Sequence, residues 1–270
     1  MTATHPPQPP RLRRFSPLAA LLITLRVIAM FGWLLICVIP SVLARKFHRR
    51  TIWPSRFLGG ILHIAGVDLR RTGDKAPGRV LFIANHVSWL DIPVMSALTH
   101  TAFVAHDGLA NIPFIRWLCD MNDTIFVARH QRTNVQNQVD NIRDALRDCG
   151  ALAIFPEGTT SDGTGLLPFK SALLASLDPL PQDITIQPIW LDYGPDCAVM
   201  AWVGEERGLR NFQRILGRRK KLPVTAHFLP PLSGADLTNR KIITLAARTA
   251  IQQKMSTAQL SPPRLRGDRL

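Results

Sequence analysis

The chain has 270 residues, 46% of them hydrophobic, and a formal net charge of +14. That length allows one large domain plus an appendage, and the apolar share is too low for a polytopic membrane protein and high for a fully soluble one. Four cysteines, Cys37, Cys119, Cys149 and Cys197, form no CxxC pair, which excludes a zinc pattern or a secreted disulfide framework and leaves reduced packing residues.

Residues 1–14 are Pro-rich and basic, and are expected to be a disordered arm. Nine lysines and arginines precede the first acidic residue, Asp68, so this region carries +9 of the net charge and suits a polyanionic surface, either anionic lipid or nucleic acid. Residues 15–55 read as a membrane-associated helical segment. Within it, residues 27–44 form an uncharged run of 18, about the minimum to cross a bilayer at ~1.5 Å rise per residue. Arg26 and Pro40 interrupt a plain span, and basic residues flank both ends. Three placements stay open: a single membrane helix, a helix pair lying in one leaflet with residues 45–50 at the headgroups, or a buried core helix. Trp33, Phe47 and Trp53 beside the basic cluster favour the interface. No small-residue cleavage site precedes a polar mature start, so a cleavable signal peptide is not expected.

The remainder, residues 56–258, alternates apolar strand-like runs with helical patterns. A short amphipathic helix over 56–66 leads to a strand over 67–71 and a turn at Gly73 to Gly78. Residues 80–84 form an apolar run that switches abruptly to Asn85, His86, Val87, Ser88, Trp89, Leu90 and Asp91. A helix follows to Leu98. Further strands are predicted over 101–105, ending at His106, over 124–128, ending at Arg129, and over 151–155, ending at Glu157. Residues 112–118 are apolar and are expected to pack near the site or the membrane. Val135, Val139, Ile142 and Leu146 mark an amphipathic helix, capped by Thr133 with Gln136 and stopped at Gly150. A helix over 167–177, strands over 184–191, 198–203 and 224–229, and a terminal helix over 238–255 complete the domain. Pro188 predicts an edge or bulged position for its strand. The basic cluster at 218–221 is either a solvated turn or a membrane-contacting patch, and residues 259–270 are expected to be a disordered tail.

Strand, helix and strand at this spacing is a βαβ unit and implies parallel pairing. The exits of parallel strands share one edge, where α/β proteins bind ligands. His86, Asp91, His106, Arg129 and Glu157 all stand at such exits. A carboxylate on one imidazole nitrogen fixes the tautomer and leaves the other nitrogen free to take a proton, so His86 with Asp91 reads as a general base and its orienter. A core histidine beside a helix-capping aspartate remains the plainer alternative for that pair alone.

Four segments together resemble the glycerolipid acyltransferase family, whose bacterial type is 1-acyl-sn-glycerol-3-phosphate acyltransferase. They are NHVSWLD at 85–91, TIFVAR at 124–129, FPEGTTSDG at 155–163 and IQPIWL at 186–191. The resemblance implies an α/β fold with a mixed, largely parallel sheet flanked by helices, and an N-terminal membrane-embedded helical motif. It also implies acyl transfer from an acyl carrier protein or coenzyme A thioester to a lysolipid hydroxyl. His86 and Asp91 would then be catalytic, and Arg129, Glu157, Gly158, Thr159, Thr160 and His106 would bind substrate. The first-ranked acceptor is 1-acyl-sn-glycerol-3-phosphate, giving phosphatidic acid at the cytoplasmic face of the inner membrane, on anionic lipid. No metal, resident cofactor or nucleic acid is implied.

Direct attack by the acceptor needs no enzyme nucleophile. No GxSxG elbow occurs, Ser88 reads as a helix-cap residue, and no GxGxxG or P-loop is present. Backbone N–H groups around Gly158, or one near His86, are candidate oxyanion donors. Two positions depart from the family: His106 stands where a lysine is usual, and Thr160 where an arginine is usual. Both usual cations are associated with the acceptor phosphate. EGTTSDG with LPFKSALL also resembles a bacterial subgroup that acylates lyso-ornithine lipid, which has no phosphate. A non-catalytic protein bound to anionic membranes is the alternative of another class, and a metal hydrolase using His86, Asp91 and His106 has poor ligand spacing.

Overall fold

The computed structural model describes residues 16–47, 52–106, 113–122, 124–127, 146, 149–177 and 183–260. Its strands are β1 Val67–Thr72, β2 Arg79–Ala84, β3 Ala102–His106, β4 Ile125–Val127, β5 Ala151–Ile154, β6 Ile184–Asp192 and β7 Leu222–Phe228. They form one seven-stranded sheet among the described residues, in the order β1-β7-β6-β2-β5-β3-β4. Strands β2 to β6 all run one way; β7 is antiparallel to β6 and parallel to β1. The sheet is therefore mixed and largely parallel, as the βαβ spacing and the family resemblance predict.

β2 lies at the centre, with Phe82 level with Ala153 of β5 and Gln187 of β6. It is apolar on both faces because both are covered. Val80, Phe82 and Ala84 pack on one side with Leu62, Val94 and Met95, whereas Leu81 and Ile83 pack on the other with Leu174, Ile243 and Ala247. Burying each large apolar side chain contributes about 1.5–3 kcal/mol.

The helices are α1 Pro17–Lys46, α2 Trp53–Ala65, α3 Asp91–Thr99, α4 Pro113–Met121, α5 Cys197–Met200, α6 Gly208–Leu216 and α7 Arg240–Leu260. In α1, residues Pro17–Ala44 are long and apolar enough to cross a membrane, with 22% of the apolar window buried in the protein. One side of α1 packs inward through Met30, Leu34 and Cys37. The other leaves Leu21, Leu25, Ile28, Phe31, Leu35 and Ile39 exposed. Arg26 donates from Nη1 to the carbonyls of Leu216 and Arg218, each at 2.8 Å. Trp33 Nε1 reaches the carbonyl of Phe57 at 3.2 Å. Gly60 makes that approach possible, since a Cβ there would sit 1.9 Å from Trp33 Nε1.

Three expectations are corrected. The strand over 198–203 is absent: α5 occupies Cys197–Met200, and Ala201, Trp202 and Val203 follow outside any strand. A short apolar run does not distinguish the two states, and the Gly194–Asp196 turn feeds α5. The helix over 167–177 is a 3₁₀ helix confined to Ser171–Leu177, because the chain before it is tied to the turn after β5. Pro188 lies in neither an edge strand nor a bulge; β6 runs between β2 and β7. The Leu229 N–H donates to the Pro188 carbonyl at 3.0 Å. The Leu229 carbonyl, which the missing proline N–H would have met, accepts instead from Gln187 Nε2 at 2.9 Å. Gln187 also donates to Asp74 O and accepts from Ala76 N, so a buried side chain replaces the lost ladder bond. The Thr133–Gln136 cap, Val135, Val139, Ile142 and residues 1–14, 48–51 and 261–270 lie outside the described residues, whereas Gln259 and Leu260, expected in the tail, belong to α7.

Candidate active site

β2 and β5 are neighbours, so the loop leaving each emerges on the same edge of the sheet. Asn85, first in the β2 loop, exchanges two hydrogen bonds with the Leu191 backbone of β6, at 2.7 and 3.1 Å. That fixes the loop where it departs. The chain then folds back to place the first residue of α3, Asp91, under His86.

The Asp91 carboxylate is fully buried. Its Oδ2 accepts from Val87 N at 2.7 Å, from Ser88 N at 2.9 Å and from His86 Nδ1–H at 2.6 Å. Its Oδ1 accepts from the Tyr193 hydroxyl. With so many donors turned on it the carboxylate is an acceptor only, which sets the imidazole tautomer. The His86 side chain is 21% exposed, stacked on Phe155 at 4.6 Å, and its Nε2 has no hydrogen bond among the described residues. Such an imidazole can take a proton at Nε2 while Asp91 steadies the resulting cation. Ser88 is wholly buried and its hydroxyl faces Leu90 N at 3.4 Å, ahead of α3.

The turn after β5 is stitched to the same loop. Glu157, 1% exposed, accepts from His86 N at 2.9 Å and from Leu167 N at 3.2 Å. Burial pushes its carboxyl up to about 7, against the opposing pull of those two N–H groups. Ser161 N and Oγ both donate to the His86 carbonyl, at 2.7 and 3.1 Å. Gly158 takes a left-handed φ of 69°, and a Cβ on it would stand 3.2 Å from Lys170 Nζ. Thr159 is exposed, while Thr160 donates its hydroxyl to the Trp202 carbonyl. Trp202 N in turn donates to Val87 O at 2.9 Å, so the segment after α5 straps both loops. The N–H groups of His86, Val87 and Ser88 are all committed to carboxylates, so none of these three is free as the oxyanion donor expected near His86.

His86, Asp91, Glu157, Gly158, Thr159 and Thr160 thus converge. His106 ends β3, its side chain lying outside the described residues, as does Arg129. Sequence reasoning missed Tyr193, Trp202 and Lys170. Tyr193 follows β6, one more exit on the same edge, and is the chain's sole tyrosine; that coincidence was the available signal. Burial and the neighbouring Asp91 push the Tyr193 phenol well above its usual range. Burial pushes the Cys197 thiol up to about 12, leaving it un-ionised at neutral pH. Among the described residues, no group of three or more His, Cys, Asp or Glu gathers as metal ligands would.

Residues 68–192 match the acyltransferase family profile, a span that contains both loops. These residues form an acyltransferase-family domain. The chain is 32% identical over 179 residues to the lyso-ornithine lipid O-acyltransferase of Rhodobacter capsulatus, covering 64% of each chain. It is 33% identical over 181 residues to the Rhizobium meliloti protein of that name, covering 62% of this chain and 61% of that one. These matches span less than two thirds of either relative. Against the 1-acyl-sn-glycerol-3-phosphate acyltransferase of Neisseria gonorrhoeae it is 36% identical over 111 residues, covering 41% of this chain and 44% of that one. The crystal structure of the Thermotoga maritima 1-acyl-sn-glycerophosphate acyltransferase, PlsC, superposes with a TM-score of 0.61 at 17% identity. It covers 90% of this chain and 98% of that one, so the acyltransferase domain and its flanking helices share that fold.

Proposed function

We propose that the chain transfers a fatty acyl group from a thioester to the free hydroxyl of a lysolipid, with His86 as general base. The observation that carries this is an imidazole open at Nε2 and held at Nδ1 by a buried, fully bonded aspartate. Nε2 removes the hydroxyl proton as the oxygen attacks the thioester carbonyl. The tetrahedral intermediate collapses, the C–S bond breaks, and the thiolate leaves with the proton returned by the imidazolium. General base catalysis contributes on the order of 10²–10⁴-fold. The Thr159 N–H, without a partner among the described residues, is our candidate donor to the oxyanion. An un-ionised Cys197 and a buried Ser88 support direct transfer over an acyl-enzyme.

For the acceptor we rank lyso-ornithine lipid ahead of 1-acyl-sn-glycerol-3-phosphate. The two relatives described first carry that name, and Thr160, where the family usually has arginine, spends its hydroxyl on Trp202. The phosphate-bearing acceptor is the second reading, supported by the Neisseria relative and by Arg129. The donor is an acyl carrier protein or coenzyme A thioester. The exposed apolar side of α1, clamped along the domain by Arg26 and Trp33, supports residence at a membrane, which we take to be the cytoplasmic leaflet of the inner membrane, the +9 of the N-terminal region suiting anionic lipid.

The test is thioester consumption by the purified chain in mixed vesicles, offered each acceptor and each donor in turn. Turnover with lyso-ornithine lipid is expected to exceed that with lysophosphatidic acid. His86→Ala is expected to lower turnover at least ~10²-fold while leaving vesicle binding intact. Unchanged turnover in that variant overturns the mechanism, and a preference for lysophosphatidic acid overturns only the ranking of acceptors.

A further inference from the structure

Asp91 has two carboxylate oxygens, and the loop that carries His86 uses one of them. Three donors converge on Oδ2, all from residues 86 to 88. Oδ1 is left for a group from elsewhere, and that group is the hydroxyl of Tyr193, delivered by the exit of β6. Tyr193 is 1% exposed, so the hydroxyl has no water to fall back on. Its partner must be in the protein, and Asp91 is the partner.

We infer that Tyr193 is a positioning residue for the acyl-transfer reaction, acting on His86 through Asp91. This rests on the general-base reading given above. The hydroxyl does two things. It stops the carboxylate from rotating about the Cβ–Cγ bond, which keeps Oδ2 aligned with His86 Nδ1. It also draws negative charge towards Oδ1, so Oδ2 holds the imidazolium less tightly than an unassisted carboxylate would. The titratable groups around Asp91 are His86, Tyr193, Glu157 and Cys197. Asp162 and Asp192 face Cys197 in turn. Of these, only His86 and Tyr193 hydrogen-bond to the Asp91 carboxylate.

Tyr193→Phe removes one oxygen and leaves the ring in its core position. With the donor gone, Oδ2 keeps more charge and binds the imidazolium more strongly. The acid limb of the kcat/KM profile is then expected to move to higher pH. Looser alignment is expected to lower kcat about 10-fold, the effect of losing one hydrogen bond to a charged group, with the acceptor KM unchanged. A wild-type kcat and pH profile in a folded Tyr193→Phe protein overturns the inference.

A second measurement does not depend on that variant folding. Because the chain has a single tyrosine, biosynthetic 3-fluorotyrosine gives one ¹⁹F resonance. It is expected to titrate with the midpoint of the acid limb, and that step is expected to vanish in His86→Ala. A resonance that ignores pH through the acid limb, or that titrates identically without His86, overturns the coupling. If His86→Ala stays active, the general-base reading fails. If it is inactive while Tyr193→Phe behaves as wild type, only the role given to Tyr193 fails.

Discussion

The loop after β2 and the turn after β5 both bury a carboxylate at the same sheet edge, yet the two acids do different work. Asp91 is met by four donors and turns its charge on a side chain, His86. Among the described residues Glu157 is met only by backbone N–H groups, those of His86 and Leu167, and serves to join two stretches of chain. On the general-base reading proposed above, burial alone therefore does not mark a catalytic acid. The decisive difference is whether the carboxylate's partner is free to exchange a proton with something outside the protein. His86 Nε2, with no hydrogen bond among the described residues, can serve so on the proposed reading; a peptide N–H cannot.

Three substitutions test this contrast, beginning with the largest expected effect. Asp91→Asn keeps the shape but removes the charge that supports the imidazolium, and should lower kcat about 10³-fold with little change in vesicle binding. Steady-state rates alongside a flotation assay check this. A loss under tenfold would put Asp91 on the same footing as Glu157.

Glu157→Gln should act mainly on stability, with a dependence on pH. The Glu157 carboxyl is raised from 4.5 to about 7 in the fold, so folding favours its protonated form. The stability this contributes is complete below the unfolded value and is lost as pH rises towards 7. Glutamine does not titrate. The stability of wild type relative to Glu157→Gln should therefore fall between pH 5 and pH 7.5 and then level off. Denaturant titrations of both proteins across that range measure it, and a flat difference would mean that Glu157 is ionised throughout.

The smallest effect belongs to Thr160→Val, which removes the bond to the Trp202 carbonyl. About 1 kcal/mol of stability should be lost, with the acceptor KM unchanged. A several-fold rise in KM without loss of stability would restore Thr160 to a role in substrate binding.

Much of this arrangement was legible before any coordinates. The β2, β3 and β5 runs are apolar and bounded by polar residues, and they pair as parallel strands in the way their spacing predicts. His86, Asp91 and the Glu-Gly-Thr turn were marked by sudden changes of character at strand exits. What escaped notice depends on distant partners. Tyr193 lies 102 residues from Asp91, and its place just past the end of β6 was the one signal of the connection. Trp202 is joined to Val87 and to Thr160 by backbone atoms, which leave no trace in residue identity. Pro188 misled for a related reason. Its missing donor argued for an edge, but a Gln187 side chain supplies that donor, and no local rule anticipates such a substitute.

Arg26 brings a mechanical consequence. Two carbonyls at the end of α6 hold one guanidinium on an otherwise greasy rod, and with the Trp33 bond to α2 it keys rod and domain together at a fixed height. On the membrane reading given above, the key acts like the draught mark on a hull. It sets how far His86 rides above the lipid. Were both bonds lost, that distance would drift, and the hydroxyl of a substrate anchored by its own chain would then reach the imidazole only part of the time.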